Sequence, residues 1–245
     1  MRVGGWTDKG PVRSLNEDAW AAGLLPDGGC WGVVLDALGG ITRPPLPVHR
    51  LADALGHHLR RILAGRQVRG SLLKAVLAAA NRDFAADLQA RGLPGYGATG
   101  VLAVLEDHAV TVAWIGDCRA WVLRSGSLHR LTEDHTLGAR LRREGQVAEG
   151  EAHPHDDIVV QALGPQFGPG TDGDSTRFPI QPGDRVLLAS DGVWRNLDDA
   201  ALIAGMSGSP DPALAAQMVI NAAIEAGTTD NCAAVVLAPD PPEAV

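Results

Sequence analysis

The sequence of 245 residues predicts an α+β fold in which helices cover two β-sheets. Short apolar runs with β-branched residues recur between turn sequences, as is typical of buried strands. Two longer segments, 46–63 and 71–91, repeat apolar residues at helical spacing and follow each other along the chain. Runs of strands that are separated by paired helices favour sheets with helices packed on them. Because we find no linker and no internal repeat, we expect one domain over residues 1–238.

In the first half of the chain, turn sequences separate three strands, and two helices follow. The connection at 41–47 contains three prolines, so we expect it to be irregular. Ser71 is expected to cap the second helix, and residues 92–100 are expected to form a glycine-rich loop. The expected elements are strands at 2–7, 19–25 and 31–36 and helices at 46–63 and 71–91.

In the second half, hairpin strands lead to a short helix, a long polar segment and two further helices. Residues 145–173 are polar with little periodicity, so we expect a loop-rich insertion that the apolar run 158–163 anchors to the body. Residues 239–245 are expected to form a disordered tail. The expected elements are strands at 101–105, 110–115, 119–124, 175–180, 185–189 and 232–237, and helices at 136–144, 198–204 and 210–226.

Acidic residues stand at the ends of the predicted strands. Taken alone, the aspartate after the strand at 31–36 also suits an ordinary turn, but other strands end in the same way. Carboxylates that gather at one edge of a β core repel one another unless a cation neutralises them. Oxygen ligands of this kind suit Mg²⁺ or Mn²⁺, so we predict a divalent-cation site. The acidic residues are Glu17, Asp18, Asp36, Asp117, Asp191 and Asp230.

Charge and composition exclude several classes of protein. The net charge of −8 and the lack of a basic run argue against nucleic acid as a partner. No apolar stretch approaches the ~20 residues of a transmembrane helix, so we expect no membrane insertion. We also expect no signal peptide, since no long apolar run follows the first charges. Cys30, Cys118 and Cys232 lie far apart without metal-type spacing, which favours reduced thiols and a cytoplasmic location.

Seven short motifs occur in one order along nearly the whole chain. Each motif is weak alone, but the ordered set resembles that of the bacterial metal-dependent protein phosphatases, the PPM or protein phosphatase 2C family. The motifs are 7–18 (TDKG, Arg13 and NED), 35–40 (LDALGG, for ADGMGG), 97–99 (GAT, for GTT), 115–119 (IGDCR, for GDSR), 131–135 (LTEDH, for LTEDHS), 190–192 (SDG) and 230–231 (DN).

The resemblance implies a fold, an activity and partners. The fold would be a four-layer α-β-β-α sandwich of two antiparallel sheets, in which residues 145–173 form a flap beside the active site. The activity would be hydrolysis of phosphoserine and phosphothreonine at a centre of two Mn²⁺ or Mg²⁺ ions, with a weaker third ion. The substrate would be a protein phosphorylated by a Ser/Thr kinase in signal transduction, and we expect a monomer.

The resemblance also assigns metal ligands. Asp36 would bridge the two metal ions. Asp191 and Asp230 would bind one of them, and the backbone carbonyl of Ala37 would bind the other. Asp117 would be the ligand of the weaker third ion.

Catalysis would use water and one arginine. By the family pattern, Glu17 or Asp18 would contact a metal through water, and Arg13 would grip the substrate phosphate. Water between two divalent ions becomes hydroxide near neutral pH and can attack phosphorus directly. A guanidinium fork matches the geometry of phosphoryl oxygens, which suits the role of Arg13. The predicted catalytic residues are therefore Arg13, which would bind the phosphate, and Asp36, which would bind both metal ions.

Three departures from the family pattern leave an alternative open. Ala37 replaces the glycine of the turn, Leu38 replaces a methionine or histidine, and residues 41–45 replace a Gly/Ala-rich stretch. A Cβ at position 37 restricts the backbone if the site requires a positive φ. The alternative is a weak or inactive relative that binds phosphoprotein or a partner protein through the same groove. The retained carboxylates and Arg13 favour the enzyme.

Overall fold

Ten β-strands and six α-helices are present in the computed structural model, which describes residues 1–39, 47–63, 67–148, 150–168 and 173–240. The strands, in chain order, are β1 (Arg2–Asp8), β2 (Asp18–Leu24), β3 (Cys30–Leu38), β4 (Gly97–Glu106), β5 (Ala109–Ile115), β6 (Arg119–Arg124), β7 (Ser127–Arg130), β8 (Asp174–Pro179), β9 (Arg185–Ala189) and β10 (Cys232–Ala238). The helices are α1 (Pro47–Leu63), α2 (Gly70–Ala90), α3 (Leu137–Arg143), α4 (Asp191–Trp194), α5 (Asp199–Ser207) and α6 (Pro212–Glu225).

The described strands pair into two antiparallel sheets of five strands each. The first sheet has the order β1-β10-β9-β6-β7, and the second has the order β2-β3-β4-β5-β8. Helices α1 and α2 pack on the outer face of the second sheet, whereas α5 and α6 pack on the first. The predicted four-layer α-β-β-α sandwich is therefore confirmed.

Alternation along β3 shows how the strands are buried on both faces. Val33 and Leu35 pack with the residues of α1 and α2, whereas Val34 between them packs with Val101 and Val235 in the layer between the sheets. Successive side chains of a strand point to opposite faces, so a strand that is covered on both sides reads as a continuous apolar run. This is why the run before Asp36 could be recognised from sequence.

Two helix caps show where local sequence signals hold and fail. Thr136 precedes α3, and its side chain accepts a hydrogen bond from the backbone N–H of Ala139 at 3.3 Å. The predicted cap of α2 by Ser71 is wrong, because the helix begins at Gly70 after Arg69 and has no side-chain cap. Burial of apolar residues against the second sheet holds this helix instead of a cap.

The structure also corrects the predicted strands. The loop expected at 92–100 ends at 96, because 97–100 belong to β4 and pair with β3. The edge strand β7 was not predicted, since its four residues are mostly exposed and polar. The four-residue helix α4 is likewise too short to show a periodicity.

Part of the predicted insertion is attached to the body of the domain. Val159 forms an isolated β-bridge with Thr136, and Leu163 forms another with Ala98. Ala162 and Leu163 are buried, whereas Ile158 is exposed. The apolar run of the insertion therefore packs onto the sheets, while its role as a substrate-facing flap stays a prediction.

Several predictions fall outside the described residues. These are the irregular connection over 41–46, the first residue of the helix predicted from 46, and residues 241–245 of the tail predicted over 239–245. Within the described start of that tail, the carboxylate of Asp240 accepts a hydrogen bond from the terminal ammonium of Met1. Among the described helices, none is both long enough and apolar enough to span a membrane.

Candidate metal centre

The two sheets bring five aspartates to one edge of the sandwich, which we call the acidic edge. Asp18 at the start of β2 lies directly opposite Asp36 near the end of β3. Asp117 lies in the turn between β5 and β6, and Asp191 follows β9 at the start of α4. Asp230 lies two residues before β10. The acidic edge consists of Asp18, Asp36, Asp117, Asp191 and Asp230.

The pKa values of these carboxyls show the cost of gathering them. Burial raises the pKa of Asp18 to about 8, although the hydrogen bond from Ser190 opposes the rise. The pKa of Asp36 lies well above its usual range because of burial first and the charges of the other four aspartates second. Burial likewise raises the pKa of Asp117 to about 6, and it raises the pKa of Asp191. In the absence of a cation, such a group relieves its repulsion by taking up protons.

Ser190 joins the two sheets at this edge. Its hydroxyl, which is fully buried, donates a hydrogen bond to Oδ2 of Asp18 at 2.6 Å. The hydroxyl oxygen of Ser190 also accepts a hydrogen bond from the backbone N–H of Ala233 in β10 at 2.9 Å. The side chain of Ser190 thus links Asp18 at the start of β2 to β10 in the other sheet.

A close backbone approach explains the glycine after Asp191. A Cβ at Gly192 would lie 1.9 Å from the carbonyl oxygen of Asn231, so only glycine fits there. This contact brings the start of α4 against the segment that carries Asp230. The Ser-Asp-Gly motif therefore places two aspartates of the acidic edge side by side.

Asn231 ties the N-terminal loop to β10. Its Nδ2 donates to the carbonyl oxygens of Lys9 at 2.7 Å and Leu15 at 2.9 Å. Its Oδ1 accepts from the backbone N–H of Glu17 at 2.8 Å. The charge of Glu17 contributes to raising the pKa of Tyr96, behind the larger effect of burial, so Glu17 lies near the same edge.

Asp117 is held by a turn that His135 stabilises. The backbone N–H of Gly116, which has a φ of +93°, donates to Nδ1 of His135 at 3.1 Å. The N–H of His135 donates in turn to the carbonyl oxygen of Gly116 at 2.9 Å. One carboxylate oxygen of Asp117, Oδ1, is buried and has no hydrogen-bond partner, while Oδ2 accepts from Arg195 at 3.3 Å.

Ala37 fits its position without backbone strain. It lies within β3 opposite Ala98, and its φ is not among the positive values of the described residues. The positive φ of this turn, +101°, falls on Gly39 instead. The replacement of the family's glycine by alanine therefore does not distort the end of β3.

Arg13 lies at the same edge and is half exposed. Its Nη2 donates to Oδ2 of Asp230 at 2.6 Å. An arginine in this position contacts a predicted metal ligand and has one face open to solvent. The structure thus brings Arg13 to the site, although its contact here is a carboxylate.

The carboxylates of the acidic edge suit a hard divalent cation, but they do not form a preassembled metal site. In the described part of the chain, no three Asp, Glu, His or Cys side chains form a ready-made metal cage. Arginines neutralise part of the edge, since Arg13 pairs with Asp230 and Arg195 pairs with Asp191. The oxygen-only donors, the raised pKa values and the unpartnered Oδ1 of Asp117 fit Mg²⁺ or Mn²⁺.

Residues 12–209 match the family model described as protein phosphatase 2C. The chain belongs to this family. It is 30% identical over 244 residues to the serine/threonine protein phosphatase PstP of Mycobacterium tuberculosis, covering 96% of this chain and 44% of that protein. It is also 30% identical over 193 residues to the serine/threonine phosphatase Stp of Listeria monocytogenes, covering 76% of this chain and 75% of that protein.

A solved structure supports the same assignment. The catalytic domain of PstP in complex with two manganese ions aligns with a TM-score of 0.76 and 27% identity, covering 96% of both chains. The present chain spans less than half the length of the whole M. tuberculosis PstP. The family assignment therefore concerns the phosphatase domain.

Sequence reasoning named the residues of the acidic edge but missed their partners. Ser190 and Asn231 were noticed as parts of motifs without a role, and Arg195 was not singled out. The signal for the first two was their position beside Asp191 and Asp230. Arg195 had a weaker signal, its place four residues after Asp191 on a helix.

Proposed function

We propose that the protein is a metal-dependent phosphatase that hydrolyses phosphoserine and phosphothreonine in proteins. The observation that carries the proposal is the acidic edge, where buried aspartates with raised pKa values converge from both sheets. A phosphoprotein-binding domain without catalysis has no need of carboxylates that repel one another. The names and the manganese-bound structure of the relatives support the same activity.

The proposed roles of the ligands follow the family pattern. Asp36 would be a ligand of both ions of Mn²⁺ or Mg²⁺. Asp191 and Asp230 would hold one ion, and the backbone carbonyl of Ala37 would hold the other. Two such ions supply hydroxide near neutral pH by lowering the pKa of water. Glu17 or Asp18 would orient water molecules at the centre.

Within this scheme, Arg13 binds the phosphate of the substrate. Its guanidinium lies at the mouth of the acidic edge and pairs with Asp230. When a cation neutralises Asp230, the guanidinium is available to a dianionic phosphate, to which it can donate two parallel hydrogen bonds. The developing charge on the phosphoryl oxygens would strengthen this contact in the transition state.

The alternative of an inactive relative receives no support from position 37. A loss of function was conceivable if Ala37 strained the turn, but the positive φ lies at Gly39. Leu38 lacks a polar atom, so the leaving group would take its proton from water or from another residue. We therefore keep the enzyme as the proposed function.

The proposed substrate is a protein phosphorylated by a Ser/Thr kinase, and the proposed setting is the cytoplasm, where the protein acts as a monomer. The three cysteines are free and buried, which suits a reducing compartment. The net charge of −8 argues against nucleic acid as the substrate.

Hydrolysis of p-nitrophenyl phosphate and of a phosphothreonine peptide tests the proposal. We expect activity with Mn²⁺ or Mg²⁺, none in EDTA, and none in an Asp36→Asn variant that was purified in parallel as the control for contaminating phosphatases. Mn²⁺ should serve at least as well as Mg²⁺, because Mg²⁺ demands a near-ideal octahedral site. Full activity after dialysis against EDTA, or equal activity of the variant, would show that the proposal is wrong.

A further inference from the structure

Arg195 is the cation that Asp117 and Asp191 share. It lies one turn after Asp191, to whose Oδ2 its Nε donates at 2.9 Å. Its Nη2 donates to Oδ2 of Asp117 at 3.3 Å, although the two residues are 78 positions apart in the sequence. The guanidinium thus lies between the aspartate of the β5–β6 turn and the aspartate at the start of α4.

The side chain of Arg195 is held in this place from several directions. The ring of Trp194 lies 4.9 Å from its guanidinium carbon and 3.2 Å from that of Arg119. Trp194 is fixed in turn, because its Nε1 donates to the carbonyl oxygen of Asp117 at 3.1 Å. On the outer side, Nη1 of Arg195 donates to Asp157 of the insertion. A guanidinium that is bound this way is a fixed charge and not a mobile surface side chain.

We propose that the guanidinium of Arg195 takes the place of a third divalent ion between Asp117 and Asp191. The inference rests on the proposed function, because it concerns how many metal ions the phosphatase centre holds. A divalent ion needs several oxygen ligands within about 2.0–2.6 Å, and Arg195 occupies the Oδ2 atoms of both aspartates. The ion would also meet a fixed positive charge at its side.

The remaining oxygen of Asp117 makes the inference testable. Asp117 is 3% exposed, and its Oδ1 has no hydrogen-bond partner. Removal of the guanidinium would leave this carboxylate with both oxygens available beside Asp191. The site then regains the oxygen ligands that Mn²⁺ prefers, without any change to Asp36 or Asp230.

The experiment counts metal ions. Wild type and variants are dialysed to equilibrium against Mn²⁺ at a concentration that saturates the tight sites, and bound manganese is measured by mass spectrometry. We expect two ions per chain in the wild type and three in both Arg195→Ala and Arg195→Gln. Arg195→Gln keeps most of the side-chain stem, so it remains informative if the alanine variant folds poorly. Arg195→Lys should stay closer to two, since it restores the charge.

Two further variants locate the effect. Arg143→Ala is the matched control. Arg143 lines one cleft together with Arg195 and is exposed, but it pairs with Glu133 and not with the acidic edge. It should bind two ions. The double variant Arg195→Ala with Asp117→Asn should return from three ions to two, which assigns the additional ion to Asp117.

The outcomes separate this inference from the proposed function. Two ions in both the wild type and the Arg195 variants would overturn the role of Arg195 and leave the phosphatase centre intact. Three ions in the wild type would also overturn it. No bound manganese in any variant would overturn the metal centre itself, and the inference with it.

Discussion

Lowering the pH from 8 to 6 is expected to stabilise the metal-free protein. Protonation of Asp18 should contribute a part of this stabilisation that can be calculated. Burial raises the pKa of Asp18 to about 8 in the folded state. The carboxyl of an unfolded chain has a pKa of about 3.9. Between pH 6 and pH 8 the folded state therefore binds more protons than the unfolded state, so the free energy of unfolding falls as pH rises.

The size of this effect follows from the proton binding of one carboxyl. Integration of the difference in bound protons from pH 6 to pH 8 gives about 2 kcal/mol. For a domain of this size, that corresponds to a decrease in Tm of about 4–8 °C. Bound Mn²⁺ should remove the dependence, because a cation holds the carboxylates ionised.

Thermal unfolding in EDTA, followed by circular dichroism at pH 6, 7 and 8, measures the effect against an Asp18→Asn variant. The asparagine can still accept the hydrogen bond of Ser190 but cannot ionise. We expect the variant to be more stable than the wild type at pH 8 and to lose about 2 kcal/mol of pH dependence. Parallel curves for the two proteins would refute the reasoning.

Three further predictions concern Arg13, the insertion and Ser190. Arg13→Ala should lose about 2–4 kcal/mol of transition-state stabilisation and keep its metal content, and an unchanged kcat/KM would contradict its role. Shortening the insertion around 153–157 should lower kcat/KM for phosphopeptides and spare p-nitrophenyl phosphate, whereas an equal loss for both substrates would argue against a substrate-facing flap. Ser190→Ala should destabilise the metal-free protein by about 1–3 kcal/mol in urea unfolding, since it leaves the N–H of Ala233 unpaired beside Asp18. An unchanged midpoint with an unchanged slope would count against that contact.

Much of the acidic edge could be predicted from sequence because its residues mark the ends of strands. Asp36, Asp117 and Asp191 each follow an apolar run, and burial on both faces makes such runs visible. Their order along the chain then carried the resemblance to the family and, with it, the four-layer fold. The strand boundaries were less certain, because Gly97 and its neighbours read as a loop until their pairing with β3 is known.

The partners of the aspartates could not be predicted, because their contacts join distant parts of the chain. Arg195 reads as an ordinary i,i+4 partner of Asp191, and nothing in the sequence connects it with Asp117. Ser190 likewise reads as a residue before a helix, whereas its hydroxyl holds Asp18 across 172 positions. Such contacts depend on how the two sheets are stacked, which local patterns do not encode.

The interior position of β10 in the first sheet has a consequence for biosynthesis. It pairs with β1 on one side and β9 on the other, and the hydroxyl of Thr7 donates to the carbonyl of Cys232 across 225 positions. Contacts of such long range close slowly, and ribosomes deliver the N-terminal strands first. A nascent chain that stops before Asp230 contains Asp36 and Asp191 but neither Asp230 nor the strand that joins β1 to β9. The proposed metal centre is therefore assembled only after translation has passed this strand, and truncated chains should lack it.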